Sequence, residues 1–179
     1  MLWQDLVVRQ PRLAATAYER LVEPGVVLVA TLRRDGSPRL SPIEPFLLDG
    51  DLMLSMLWQS FKARDLLRDP RLLVHSIVTG RDGADGELKL RGAACEEPDI
   101  GRQQRYAEAV APALGWRPEP GRFHLFSVDI SDVTFIRYDE PTGDQFVATW
   151  PPVREFVRRG TSATSVGEPE PVSDLLTPD

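Results

Sequence analysis

At 179 residues, with 42% hydrophobic and 27% charged side chains, the chain has the size and balance of about one domain that buries its own core. A formal net charge of −6 excludes a general basic face for nucleic acid, so any phosphate it binds is bound locally. A single cysteine, Cys95, excludes an intrachain disulfide and a cysteine-based metal site and reads as a small buried hydrophobe, and no apolar run approaches the roughly 20 residues of a membrane span.

Met1 to Arg20 lacks the basic start and continuous apolar centre of a signal peptide, which predicts a cytoplasmic protein without a membrane partner. Leu2 to Val22 reads as a leading helix (residues 1–22), its apolar face built from Leu13, Ala14, Ala17, Tyr18 and Leu21 and divided by Pro11. Pro24-Gly25 ends it. Gly25 to Leu32 is a β-prone run apolar on both faces, as for a strand buried in a barrel. Asp35-Gly36 turns the chain into a strand from Arg39 to Leu48. Pro42 and Pro45 cannot donate to a ladder, so one margin of that strand is unpaired and leaves room for a ligand. Asp49-Gly50 is a second turn, and Leu52 to Leu57 returns as the next strand.

That strand runs into the most informative stretch, Ser60-Phe61-Lys62-Ala63-Arg64-Asp65-Leu66-Leu67-Arg68-Asp69-Pro70. Ser60 suits an N-cap, Ala63, Leu66 and Leu67 repeat at helical spacing, and Pro70 closes the helix after Asp69, predicting a helix from Phe61 to Asp69. Lys62 and Arg64 fall in its first turn, where the macrodipole disfavours cations by a few tenths of a kcal/mol (~0.3). An anion reverses that sign, because free N–H groups, a hydroxyl and two cations converge there. The competing reading is an ordinary exposed helix start whose cations Asp65 offsets. Of the 21 basic residues only Lys62 and Lys89 are lysine, and an ammonium suits a point-charge contact to phosphate.

Downstream, Arg71 to Thr79 and Glu87 to Cys95 read as strands, the second with Glu87, Lys89 and Arg91 alternating with Leu88 and Leu90. Pro98 to Leu114 is a helix. Phe123 to Tyr138 is one long strand or two, with Asp129 to Asp132 as the bend, and Gln145 to Trp150 follows. Pro151-Pro152 opens a short helix from Val153 to Arg159, and the Ser, Thr, Glu and Pro composition beyond it predicts a flexible tail over residues 160–179. Residues 1–159 are expected to form one domain. Six to seven antiparallel strands with a leading helix and flanking helices predict an α+β fold built on a closed antiparallel barrel.

The order Gly25 to Leu32, Asp35-Gly36-Ser37-Pro38-Arg39-Leu40-Ser41-Pro42, Gly50-Asp51-Leu52, Ser60 to Leu66 and Asp69-Pro70-Arg71 resembles the pyridoxamine 5′-phosphate oxidase-like, FMN-binding split β-barrel proteins over roughly Pro24 to Tyr138. The resemblance implies a Greek-key split barrel, a homodimer, and FMN, or the deazaflavin coenzyme F-420 of some actinobacterial members, in a groove between subunits. Carried over by position, it implies Arg39, Leu40, Ser41 and Pro42 along the flavin ring and ribityl chain, with Ser55 and Met56 on the neighbouring strand. Ser60, Phe61 and Lys62 fall at the phosphate, and Glu87 where those oxidases reach the partner's flavin. The Ser-Arg-Lys phosphate motif is Ser60-Phe61-Lys62 here, and no C-terminal Arg-x-His-Asp-Arg segment is present, so vitamin B6 oxidation is not the expected activity. The insert from Pro98 to Pro120 resembles an actinobacterial branch.

The expected function is hydride transfer between flavin and a small organic substrate. A catalytic acid or base is not required in sequence, because the cofactor carries the chemistry. The alternatives are a deazaflavin-dependent reductase and a non-enzymatic flavin- or haem-binding protein. His75 and His124 lie in apolar strands and read as hydrogen-bonded core or interface residues, although some split-barrel relatives bind haem. No metal site is expected, since the sequence has no His-x-x-x-His. Trp58 either stacks on a ring or caps the core.

Overall fold

The computed structural model describes residues 1–176. Two short helices, α1 (Trp3–Arg9) and α2 (Pro11–Ala17), are divided at Pro11 and continue into a wider π-type turn, Tyr18–Val22. The barrel strands are β1 (Val27–Leu32), β2 (Pro38–Ile43), β3 (Pro45–Leu48) and β4 (Asp51–Leu57), then, after helix α3 (Phe61–Arg68), β5 (Arg71–His75) and β6 (Glu87–Glu96). Helix α4 (Ile100–Leu114) precedes β7 (Phe123–Asp139), and β8 (Asp144–Trp150), β9 (Arg154–Ser162) and β10 (Ser165–Pro171) complete the chain.

All pairings are antiparallel, and through the barrel strands they run as an open path whose two ends, β2 and β3, are consecutive in the chain. β1 pairs with β2 on one side and β5 on the other, β5 with β6, β6 with β7, β7 with β4, and β4 with β3. The expected strand from Arg39 to Leu48 joins the two ends of this path. It breaks at Glu44 between the two prolines, so β2 serves β1 while β3 serves β4. Proline removes a ladder donor at both places, which explains why the barrel splits there. The fold is the α+β antiparallel split barrel expected from the sequence.

Alternation along the strands sorts side chains between two cores. Leu52, Leu54 and Met56 of β4 point into the main core with Leu88, Leu90, Phe126 and Val128, while Met53 faces outward to a second cluster with Tyr106, Val110, Phe123 and Leu125. That second cluster seats α4 on the outer wall made by β3, β4 and β7. Each fully buried leucine contributes about 1.5–3 kcal/mol.

β7 is one continuous strand, and the expected bend is a bulge: Arg91 faces Asp132 and Gly92 faces Ile130, leaving Ser131 unopposed. Gly92 permits it, because a Cβ there would run into the Asp129 carbonyl oxygen.

Two expectations fail downstream. Val153 to Arg159 is not a helix but most of β9, registered on β8 through Phe146↔Val157 and Val147↔Phe156. Residues 160–171, expected within the flexible tail, are the end of β9 and its partner β10; the tail's last residues, 177–179, lie outside the described residues. Polar edge strands carry little apolar alternation, so composition hides them, whereas backbone pairing to an existing edge supplies what propensity does not. No helix among the described residues is long and apolar enough to cross a membrane.

Candidate functional site

Helix α3 starts as the sequence predicts. Ser60 is its N-cap, with its hydroxyl accepting from the Ala63 N–H at 3.4 Å, and Ala63 and Leu66 are buried beneath it. Asp69 is the C-cap rather than the last helical residue. The first turn contains no acidic residue, so Lys62 and Arg64 stand at the positive end of the dipole.

Asp65 does not offset them. Its carboxylate turns inward, 4% exposed, and accepts from Arg39 Nε at 2.7 Å, from Thr31 Oγ1 at 3.1 Å and from Arg68 at 3.3 Å. Burial pushes its pKa up, but the Arg39 guanidinium, Thr31 and Arg68 together hold it below the usual carboxylate value. The Arg39 guanidinium also lies over the Phe61 ring, 5.3 Å from its centroid. Arg39 is thereby committed to the α3 side of β2.

Lys62 goes the other way. Its ammonium donates to the Pro42 carbonyl at 3.2 Å and lines a cleft of about 750 Å³ between α4 and the wall of β3 and β4. Burial lowers the Lys62 pKa, and the Glu44 carboxylate offsets part of that shift. Tyr106 of α4, 1% exposed, lines the same cleft with Ser55, Phe46, Phe123 and Trp116. Burial raises the Tyr106 pKa, a hydrogen bond with Ser55 works against that rise, and the Glu44 charge adds to it. Four polar side chains from β4, α3, α4 and the β2–β3 break therefore converge on one mostly apolar chamber, the usual form of a small-molecule site.

Of the residues singled out in the sequence, Pro42, Ser55, Met56 and Lys62 line this cleft. Arg39 and Ser41 share the opposite face of β2, Leu40 and Phe61 are 61% and 69% exposed, and Ser60 caps the helix. Glu87 lies elsewhere on β6, its carboxylate taken by Lys89 Nζ at 2.6 Å and by His75 Nε2 at 3.3 Å. Glu44, Tyr106 and Trp116 escaped the sequence reading. Glu44 alone had a signal, standing between two prolines in a strand with an open margin; Tyr106 was indistinguishable from any apolar-face residue of its helix.

Both histidines are held by their surroundings, although His124 keeps one ring nitrogen, Nε2, buried without a hydrogen-bond partner among the described residues. His75 Nδ1 lies 2.6 Å from the Ser76 carbonyl. His124 lies flat under Trp58, ring centroids 4.5 Å apart, with Nδ1 3.3 Å from Glu96 and a buried Nε2. Trp58 therefore caps a core histidine. Cys95, expected to be buried, is exposed, because it sits where β6 has passed the bulge and runs out toward the α4 connection.

A family model described as pyridoxamine 5′-phosphate oxidase matches residues 13–137. No curated protein matches the sequence. Among solved structures, a NimC/NimA family protein from Clostridium acetobutylicum is similar with a TM-score of 0.61 at 16% identity, over 82% of this chain and 96% of that one. A protein named F420 reductase gives 0.51 at 20% identity, over 65% of this chain and 94% of that one. A heme-binding protein from Mycobacterium smegmatis gives 0.50 at 21% identity, over 75% of this chain and 57% of that one. At these identities the likeness is one of fold.

Proposed function

The chain belongs to the pyridoxamine 5′-phosphate oxidase family, and from that premise we propose that it is an FMN-dependent oxidoreductase acting on a small organic substrate other than vitamin B6. The observation that carries this reading is the meeting of the α3 start with the cleft at Lys62. The residues present fit an anionic cofactor tail. Among the described residues the Lys62 Nζ hydrogen bond goes to a neutral carbonyl, and the first N–H groups of α3, at Phe61 and Lys62, precede the helix ladder. Ser60 fixes that turn, and Arg64, held by Gln59 at 3.1 Å, is the nearest second cation. Bound flavin supplies hydride transfer at its N5; Lys62 and the helix start hold its charge, and Pro42, Ser55 and Met56 border the space beside it.

The cofactor is a flavin rather than haem in this proposal, because His75 has both ring nitrogens engaged and Trp58 covers His124. Arg39 has no role at the flavin ring here: Asp65 and Phe61 hold it on the far face of β2. A homodimer is part of the reading. Leu40, Leu57, Trp58 and Phe61 are 61%, 74%, 52% and 69% exposed around the helix start, a concentration of large apolar groups that a monomer rarely leaves in water. Glu87 stays a candidate contact to the partner's cofactor.

The deazaflavin coenzyme F-420 is the second reading, since a fold neighbour carries the name F420 reductase. Titrating the purified chain with FMN and with F-420, and following cofactor fluorescence, separates the two. Lys62→Ala should weaken binding of the accepted coenzyme by about 1.5–3 kcal/mol, the value of a charge-assisted contact. Equal affinity in wild type and variant would overturn the assignment of Lys62 to the cofactor tail.

A further inference from the structure

A second cleft, sharing no lining residue with the one at Lys62, lies between α2, the loop over residues 80–86, β7 and the chain that follows β10. It encloses about 570 Å³, the size of a small-molecule site. Its floor is apolar: Phe135 of β7, 6% exposed, with Leu175 and Leu176, which pack on the main core. Its sides carry three guanidinium groups, those of Arg12, Arg20 and Arg137.

The three are not in the same state. Arg12 is spent on structure, with Asp174 at 2.6 Å and Glu155 at 3.5 Å. Glu155 also accepts from the Leu175 N–H at 2.7 Å, so this pair fixes the segment that brings the two leucines to the floor. Arg20 and Arg137 are half-buried, and among the described residues neither has an ion pair or a hydrogen bond. Arg39 and Arg102, also half-buried, each face a carboxylate. Arg137 stands opposite Phe146 in the β7–β8 ladder and lies on its ring, 4.5 Å from the centroid. That contact occupies the flat face of the guanidinium and leaves its N–H edge unpaired. Two cations drawn partly out of water around one apolar floor, with no counter-charge of their own, are unfavourable, and an anion between them reverses the sign.

We propose that this cleft is a second ligand site, taking a ring-bearing organic acid whose single carboxylate is held by Arg20 and Arg137 and whose apolar body lies on Phe135, Leu175 and Leu176. A carboxylate matches the planar fork of a guanidinium. Glu19 lines the cleft too, and Glu155 and Asp174 stand behind Arg12; these charges repel a dianionic phosphate more than a monoanion. An inorganic anion would leave the floor unused, and an uncharged ring would leave the two guanidinium groups unpaired. The site does not depend on the cofactor reading.

Two probes of one shape test this: 2-naphthoate, and 2-naphthamide, which lacks the charge. Isothermal titration of the full chain without added cofactor at pH 7 should show 2-naphthoate binding about 10 to 100 times more tightly, the range of a charge-assisted contact. Arg20→Gln and Arg137→Gln should each remove most of that preference. Arg34→Gln, an equal change of net charge in the exposed β1–β2 turn, should keep it. Lys62→Ala should leave the 2-naphthoate affinity where it was, which separates this cleft from the one at α3. Ala15→Trp, an exposed helix position on the cleft wall, should abolish binding of both probes while keeping the far-UV circular dichroism of the wild type. Equal affinities in wild type, binding of neither probe, 2-naphthyl phosphate binding more tightly than 2-naphthoate, a preference retained in both arginine variants of the cleft or lost in Arg34→Gln, a weaker 2-naphthoate complex in Lys62→Ala, or binding retained in Ala15→Trp would each overturn the proposal.

Discussion

Replacing Arg102 by methionine should release α4, the roof of the Lys62 cleft. Its guanidinium contacts the Asp51 carboxylate and, at 2.9 Å, Glu97 Oε1, which also accepts from Ser127 Oγ at 2.6 Å. The side chains are 21%, 8% and 16% exposed for Arg102, Asp51 and Glu97, so removing the cation leaves two nearly buried carboxylates facing each other. Losing one member of a buried ion pair costs about 3–5 kcal/mol. Partial exposure of Arg102 screens the interaction and methionine keeps some packing, which places the expected loss near the lower limit, about 3 kcal/mol. For a chain of this size that is a fall in Tm of about 6–12 °C, read by circular dichroism at pH 7. The double variant Asp51→Asn/Arg102→Met should recover part of the loss, because one stranded charge is gone. A loss below about 1 kcal/mol, the level of a surface pair, or strict additivity in the double variant would show that the triad does not clamp α4.

Two further outcomes follow from the site's electrostatics and surface. Because Asp65 titrates below its ordinary value of 3.8, its contribution to stability is complete above that value and disappears as pH falls through the folded one. Asp65→Asn, which strands Arg39 and Arg68, should therefore cost about 2 kcal/mol at pH 7 by urea unfolding, with the gap to wild type closing below about pH 4; a gap that stays constant to pH 2.5 would refute the ion-pair origin. Phe61→Glu, at a side chain 69% exposed, should convert a dimer into a monomer in sedimentation velocity without lowering Tm of the monomer; an unchanged dimer would remove this face from the interface.

What could be read from the sequence was whatever local chemistry decides. Ser60 as N-cap, the Asp35-Gly36 and Asp49-Gly50 turns and the proline-broken strand are fixed by residues within a few positions of each other, and Asp49 and Gly50 do adopt the positive φ values, 53° and 83°, that such a turn needs. The direction of Lys62 was legible only as a charge in the wrong place. Asp65 made the competing reading plausible for the same reason: at helical spacing it looks like a local counter-charge, yet its partners Arg39 and Thr31 are 26 and 34 residues away. β9 and β10 were invisible because their stability comes from a neighbour's edge and not from their own pattern.

The cations at the α3 start, the inward Asp65 and the half-buried Lys62 belong to one arrangement. A helix start with Lys62 and Arg64 in its first turn is unfavourable by about 0.3–1 kcal/mol per charge, and burial of Lys62 adds to that, as its lowered pKa records. The acidic side chain of that turn, Asp65, is withdrawn into the barrel by Arg39, and the Glu44 carboxylate offsets only part of the Lys62 shift. Arg39 therefore serves the site from a distance: by holding Asp65 it keeps a carboxylate away from the place where an anion would dock. On the proposed reading, stability forgone at this corner is recovered when the anionic tail of the cofactor binds, as mass action requires of a ligand that binds the folded state.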